Sequence, residues 1–135
     1  KLKKKMGMAI LLITHDMGVV AEMAERVIVM YAGKVIEEAP VRDLFRNPAH
    51  PYTRGLLDSI PRLDVKENEL KTIPGNVPSL GSIPSGCRFH PRCPHARGLC
   101  AERVPETRDL GGERKVACWL GTPEMAAADE EGPSR

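Results

Sequence analysis

Ala9-Ile10-Leu11-Leu12-Ile13-Thr14-His15-Asp16 is the stretch on which the fold reading turns. Its apolar residues run on without alternating with polar ones, the pattern of a strand buried on both faces, as in the parallel sheet of an α/β fold. Folds of that kind place ligands beyond the C-terminal ends of their strands. His15 therefore stands where it could donate a hydrogen bond to a phosphate or a developing charge. A hydrogen-bonded structural role is the plain alternative for one histidine at a strand end. Asp16 suits the N-cap of a helix running to about Glu25, with Val19, Val20, Met23 and Ala24 on its apolar face.

Upstream, Lys1 to Lys5 reads as the end of a solvated basic helix, with Gly7 at its C-terminal cap. The chain opens on Lys and passes almost at once into a buried-type strand, so we expect a piece of a longer protein. Downstream, Arg26–Tyr31 and Lys34–Glu38 flank Ala32-Gly33, which predicts an antiparallel hairpin. Pro40 suits the first turn of a helix over 41–46, stopped by Asn47-Pro48, and a second short helix is expected over about Tyr52 to Ser59, ending at Pro61. The expected organisation is an α/β part over 1–61, a Pro/Gly-rich linker over 62–85, an irregular cysteine-rich module over 86–120 and a disordered tail over 121–135.

Composition bounds these readings. The chain has 135 residues with 12 Pro and 12 Gly, most of them after Pro40, so one large core is not expected. Aromatic residues are only 4% of the whole, and the most apolar segments precede Tyr31. A net charge of +2 gives no case for a nucleic-acid partner, the basic character being local to Lys1–Lys5 and to the cysteine region. No apolar run approaches the roughly 18 to 20 residues that cross a bilayer.

Cys87, Cys93, Cys100 and Cys118 are separated by five, six and seventeen residues, with Arg88, His90, Arg92, His95 and Arg97 among them. Those cations are expected to favour thiolates, and a metal or cluster is the natural reason to gather four of them.

The stretch Ile13-Thr14-His15-Asp16, then Val19 to Ala24, then Arg26 to Glu37, closely resembles the end of an ABC transporter ATPase domain. The run Asn47-Pro48-Ala49-His50-Pro51-Tyr52-Thr53-Arg54-Gly55-Leu56-Leu57 resembles the subfamily that energises dipeptide, oligopeptide and nickel import. The resemblance covers about Leu2 to Leu120. It implies an α/β fold that is the C-terminal piece of a P-loop (ABC-type) nucleotide-binding domain, followed by a small cysteine-rich extension. By resemblance His15 is the switch residue that contacts the γ-phosphate, with Thr14 and Asp16 supporting its loop. The chain contains no G-x-x-x-x-G-K-[ST] loop, no apolar strand ending in the magnesium-organising Asp, and no Ser-Gly-Gly signature. In the family these lie upstream of Lys1, so the chain alone is expected neither to bind nor to hydrolyse ATP. For the whole protein the resemblance implies ATP and magnesium, a head-to-tail pair of ATPase domains, membrane permease subunits, and a peripheral place on the cytoplasmic face of the membrane. Peptide is the implied substrate and nickel its rival.

Three readings of the cysteines compete. Disulfides need an oxidising compartment, which does not suit an ATPase domain in the cytosol. Structural zinc sites build their corners from cysteines about two to four residues apart, and no gap here is that short. A 4Fe-4S cluster tolerates wider spacing, and Arg88, Arg92 and Arg97 could offset its anionic charge. The segment from Pro84 to Pro94, with Cys100 and Val116-Ala117-Cys118, resembles the C-terminal extension of peptide-importer ATPases, in which four cysteines can hold such a cluster. Phe89 and Trp119 read as packing residues, and His90 and His95 as solvated neighbours. The competing function class is a stand-alone metal-binding interaction module with no ATPase role.

Overall fold

The computed structural model describes residues 7–60 and 72–130. Two β-hairpins build the one sheet found among the described residues. Strand β1 (Arg26–Tyr31) and strand β2 (Lys34–Pro40) pair antiparallel across Ala32-Gly33, whose φ angles of 44° and 80° are those of the two-residue turn that matches the twist of a hairpin. Strands β3 (Thr107–Gly111) and β4 (Arg114–Ala117) form the second hairpin, and β4 lies antiparallel against β2 with Glu37 opposite Val116, giving the order β1-β2-β4-β3. The fold is thus mixed α/β, with an antiparallel sheet in place of the expected parallel one. The module over 86–120, read from the sequence as irregular, supplies half the strands. Its turn signal, Gly111-Gly112-Glu113, is a run of positive φ that ends one short strand and starts the next.

The run Ala9–Thr14 joins no strand of this sheet, contrary to the sequence reading. A two-faced buried strand needs neighbours on both edges and cover on both faces. None of the described residues supplies them, and Leu11 and Ile13 are 86% and 89% exposed. The helix that follows is as expected. Helix α1 (Met17–Met23) is capped by Asp16, whose Oδ1 accepts the Gly18 and Val19 N–H groups at 2.9 and 3.1 Å. Only Val20 on it is buried.

Helix α2 (Val41–Arg46) follows β2 directly and inserts Leu44 under the sheet, with Asp43 in its first turn and Arg46 in its last, where each complements the helix dipole. Helix α3 (Pro51–Asp58) is capped by His50. Of the expected linker, 62–71 lies outside the described residues, as do Lys1–Lys5. The remainder is held against the body: Ile73 packs on the core, and the Ile73 and Pro74 carbonyls accept hydrogen bonds from Arg92 at 3.1 and 2.8 Å.

Phe89, 2% exposed, sits at the centre of the main core with Val29, Tyr31, Ile36, Ala39 and Leu44. It meets the rings of Tyr31 and Tyr52 edge-on at 5.2 and 5.4 Å. A residue of the cysteine module therefore plugs the first hairpin, and no fold boundary separates the two. A second, smaller core joins Cys100, Trp119 and Met125, with Cys87 packed against both cores. Met125 belongs to helix α5 (Pro123–Glu130), which occupies much of the expected disordered tail. Thr122 Oγ1 accepts the Met125 N–H at 3.2 Å, and Met125 gains a buried seat that composition could not reveal.

Candidate functional site

Cys87, Cys93, Cys100 and Cys118 line one small cavity of about 20 Å³, together with His50, Phe89, Trp119 and Met125. Four separate segments bring them there. Cys87 follows Gly86, and its N–H donates to the Cys100 carbonyl at 2.7 Å. Gly86 has φ of 62° and lies so close under the next segment that a Cβ would stand 2.7 Å from the Ala101 carbonyl. Cys93 closes the 3-10 turn His90–Arg92. Cys100 lies inside helix α4 (Gly98–Glu102), and Cys118 follows β4. All four are free thiols.

Burial pushes the thiols of Cys87, Cys93 and Cys118 up, Cys118 to about 11, and the neighbouring cysteines add to each shift. This reverses the expectation that nearby cations would favour thiolates. Arg97 does act on Cys93, as the weakest influence there. The other two arginines point elsewhere. Arg88 donates to the Ala32 carbonyl at the first hairpin turn. Arg92 donates to Tyr31 Oη at 3.2 Å and to the Ile73 and Pro74 carbonyls. They clamp the cysteine module to the rest of the fold.

Three of the sulfurs nevertheless face hydrogen-bond donors. Backbone N–H groups of Phe89 and His90 lie toward Cys87 and that of His95 toward Cys93, while the Leu120 N–H reaches Cys118 Sγ at 3.5 Å. In each of three cases the donor sits two residues after the cysteine. Such donors favour an anionic sulfur, while burial without a compensating cation opposes it. A cation held by the sulfurs would answer both demands, and thiolates are ligands suited to a soft metal. The described residues nonetheless contain no group of three or more His, Cys, Asp or Glu already spaced to hold a single ion.

Two residues beside the cysteines, Glu37 and His50, were given no site role by sequence reasoning. Glu37 on β2 is buried, and its carboxylate accepts the Ala49 and His50 N–H groups at 2.7 and 2.9 Å. His50 is 1% exposed; its Nδ1 accepts the Tyr52 N–H at 3.0 Å, and burial lowers its pKa to about 4. Its Nε2 has no hydrogen-bond partner among the described residues. A histidine before proline at a helix start was the available signal, because a ring nitrogen there can cap the helix.

His15 does not line this cavity. It is exposed, one residue before the Asp16 cap, and its loop is pinned by the Asp16 N–H donating to Thr14 Oγ1 at 3.0 Å. The sequence reading of Thr14 and Asp16 as supports of the loop matches this geometry.

The sequence profile of the family described as oligopeptide/dipeptide transporter, C-terminal region, matches residues 36–100. The chain is 54% identical over 133 residues to a putative peptide import ATP-binding protein of Brucella ovis, covering 94% of this chain and 39% of that protein. The chain matches the C-terminal region of oligopeptide/dipeptide transporter ATP-binding proteins. It is also 50% identical to an oligopeptide transport ATP-binding protein of Bacillus subtilis, over 91% of this chain and 38% of the relative. To the oligopeptide transport ATP-binding protein of Salmonella typhimurium it is 46% identical, over 93% of this chain and 37% of the relative. The chain thus spans less than two fifths of the length of these relatives. The transporter-family match runs from Ile36 through the His50 cap to Cys100, and so takes in Glu37, His50 and three of the four cysteines. No described helix is long and apolar enough to cross a membrane.

Proposed function

We propose that this chain is the C-terminal part of an ATP-binding subunit that couples ATP hydrolysis to peptide import, and that its four cysteines hold a 4Fe-4S cluster. The transport reading is carried by identity to peptide import ATP-binding proteins along more than nine tenths of the chain. In the whole protein His15 contacts the γ-phosphate of magnesium-bound ATP across a head-to-tail pair of ATPase subunits. Its exposure at the end of the apolar run suits a residue whose ligand is held by groups outside this chain. The same run, uncovered here, becomes a buried strand once the rest of the domain packs on it. The subunit works at the cytoplasmic face of the membrane, docked on permease subunits. Peptide is the substrate class and nickel the rival. The chain alone, lacking the phosphate loop, does not turn over ATP.

The cluster reading is supported by four thiols from four segments on one cavity, with backbone N–H groups laid toward three of them. A bound cluster would supply a covalent tie between those segments and a one-electron centre. Each side of that tie is already built: Gly86 lets the Cys87 and Cys100 segments touch, and Phe89 and Trp119 keep water from the sulfurs. The default role is structural, since the tie joins the two cores at Cys87. A single zinc ion is the second reading, favoured by the cavity's volume of about 20 Å³, room for roughly one water-sized guest.

Two experiments test these proposals. Anaerobically purified chain is expected to carry about four irons and four sulfides with a broad visible absorption; one zinc and no sulfide would replace the cluster with the second reading. In the full-length protein, His15→Ala is expected to leave ATP binding near normal and collapse hydrolysis. Unchanged turnover would return His15 to a structural role.

A further inference from the structure

His50 borders the cysteine cavity with its ring almost wholly out of solvent. The Tyr52 N–H donates to Nδ1 at 3.0 Å, so that nitrogen carries the lone pair. The proton of the neutral ring must then sit on Nε2. Turning the ring over would put a carbon where the cap acceptor is needed and lose the Tyr52 bond. The Phe89 ring, tilted at 57° and 5.7 Å away, packs beside it. Behind the ring, the Glu37 carboxylate fixes the His50 backbone through its N–H at 2.9 Å. Every contact of the residue serves to hold it in one pose, yet Nε2 is buried with no acceptor among the described residues. A buried donor without an acceptor is costly and uncommon in native folds. The cavity that His50 lines is bordered by all four thiols, with His90 and His95 also at its wall, and a thiol becomes an anionic acceptor when it binds a metal.

We propose that His50 is a positioning residue for the cysteine-held centre, its Nε2–H donating a hydrogen bond to an anionic sulfur of that centre, either a cysteine thiolate or a bridging sulfide. This rests on the cluster reading above. The donor completes a relay from strand β2: Glu37 sets the backbone, Tyr52 sets the ring, and the ring meets the sulfur. A hydrogen bond to sulfur stabilises the more negative, reduced centre and so raises its reduction potential.

Two substitutions separate the donor from the cap. His50→Asn keeps a short side-chain oxygen suited to an N-cap and removes the distal N–H. His50→Gln places an amide N–H near the position of Nε2. The full chain and both variants are purified without oxygen, assayed for iron and sulfide, and titrated anaerobically for midpoint potential. The expected result is a clear fall in potential, or selective loss of iron and sulfide, in His50→Asn, with His50→Gln close to the unsubstituted chain. Equal potentials and equal loading in all three would overturn the role of His50 while leaving the cluster in place. Loss of iron from both variants alike would reduce His50 to a structural residue and overturn the proposal. An unsubstituted chain with neither iron nor sulfide would overturn the cluster reading itself, and this one with it.

Discussion

The segment 9–16 and the body formed by 26–58 with 86–126 each carry a residue marked out for chemistry, and they differ in how much of the required surroundings the chain supplies. Around the cysteines the chain brings together four segments, two cores and a buried histidine. Around His15 only the loop is built, with Thr14 and Asp16 fixing the backbone and the apolar residues before it facing solvent. The contrast teaches that a site's local hydrogen bonds can be complete while its ligand pocket is not. The Asp16 cap needs only residues within three positions, whereas a phosphate site assembles groups from distant parts of a sequence.

The sharpest way to break the contrast is to empty the body's centre. Phe89→Ala removes the ring shared by Tyr31, Tyr52 and His50 and should cost about 3–5 kcal/mol in denaturant unfolding. A loss below about 1 kcal/mol would mean that the cysteine module and the first hairpin are not one cooperative unit. The next effect is on pH dependence. His50 is neutral in the fold down to about pH 4 but takes up a proton near its ordinary value when unfolded, so the unfolded state binds more protons between those limits. Stability is therefore fully present above the unfolded value and lost as pH falls toward 4, by on the order of 3 kcal/mol. Melting curves of metal-free chain at pH 7 and pH 5 should show this fall, and His50→Asn should flatten it; parallel profiles would place the acid sensitivity elsewhere. Glu37→Gln comes third. It replaces one of two carboxylate acceptors by a donor facing a backbone N–H, at about 1–3 kcal/mol of unfolding free energy. An unchanged urea midpoint would show that the 47–50 loop holds itself.

What the sequence made legible divides along the same line. The first hairpin, both short helices after it and the Asp16 cap follow from signals a few residues long: Ala32-Gly33, Pro40, Asn47-Pro48 and Asp16 itself. The gathering of the cysteines was legible in their number, but the upward shift of Cys87, Cys93 and Cys118 was not, because burial depends on Phe89, Trp119 and Met125 arriving from separate segments. Strands β3 and β4 escaped notice for a related reason. Thr107–Gly111 is short and mostly exposed, and Arg114–Ala117 buries one residue, Val116, so neither shows a strong alternation. They are held by pairing with each other and, through β4, with β2, a partner nearly eighty residues away in the chain. Glu37 stayed hidden because a glutamate in a strand reads as solvated until two backbone N–H groups are found against it.

The smallest expected effect is the most useful for keeping the two regions apart. His15→Ala and Leu11→Ser alter residues that are exposed, so each should change the unfolding free energy of this chain by less than about 0.5 kcal/mol. In the full-length subunit the two should part company. Leu11→Ser would then put a hydroxyl into a strand covered on both faces, costing roughly 2–5 kcal/mol by analogy with large-to-small core changes, while His15→Ala would spare stability and remove hydrolysis. Thermal melts of both proteins, with turnover measured on the longer one, read this directly. If Leu11→Ser were as mild in the full-length subunit as in the chain, the apolar run would not be a buried strand there, and the placement of His15 at a strand end would lose its support.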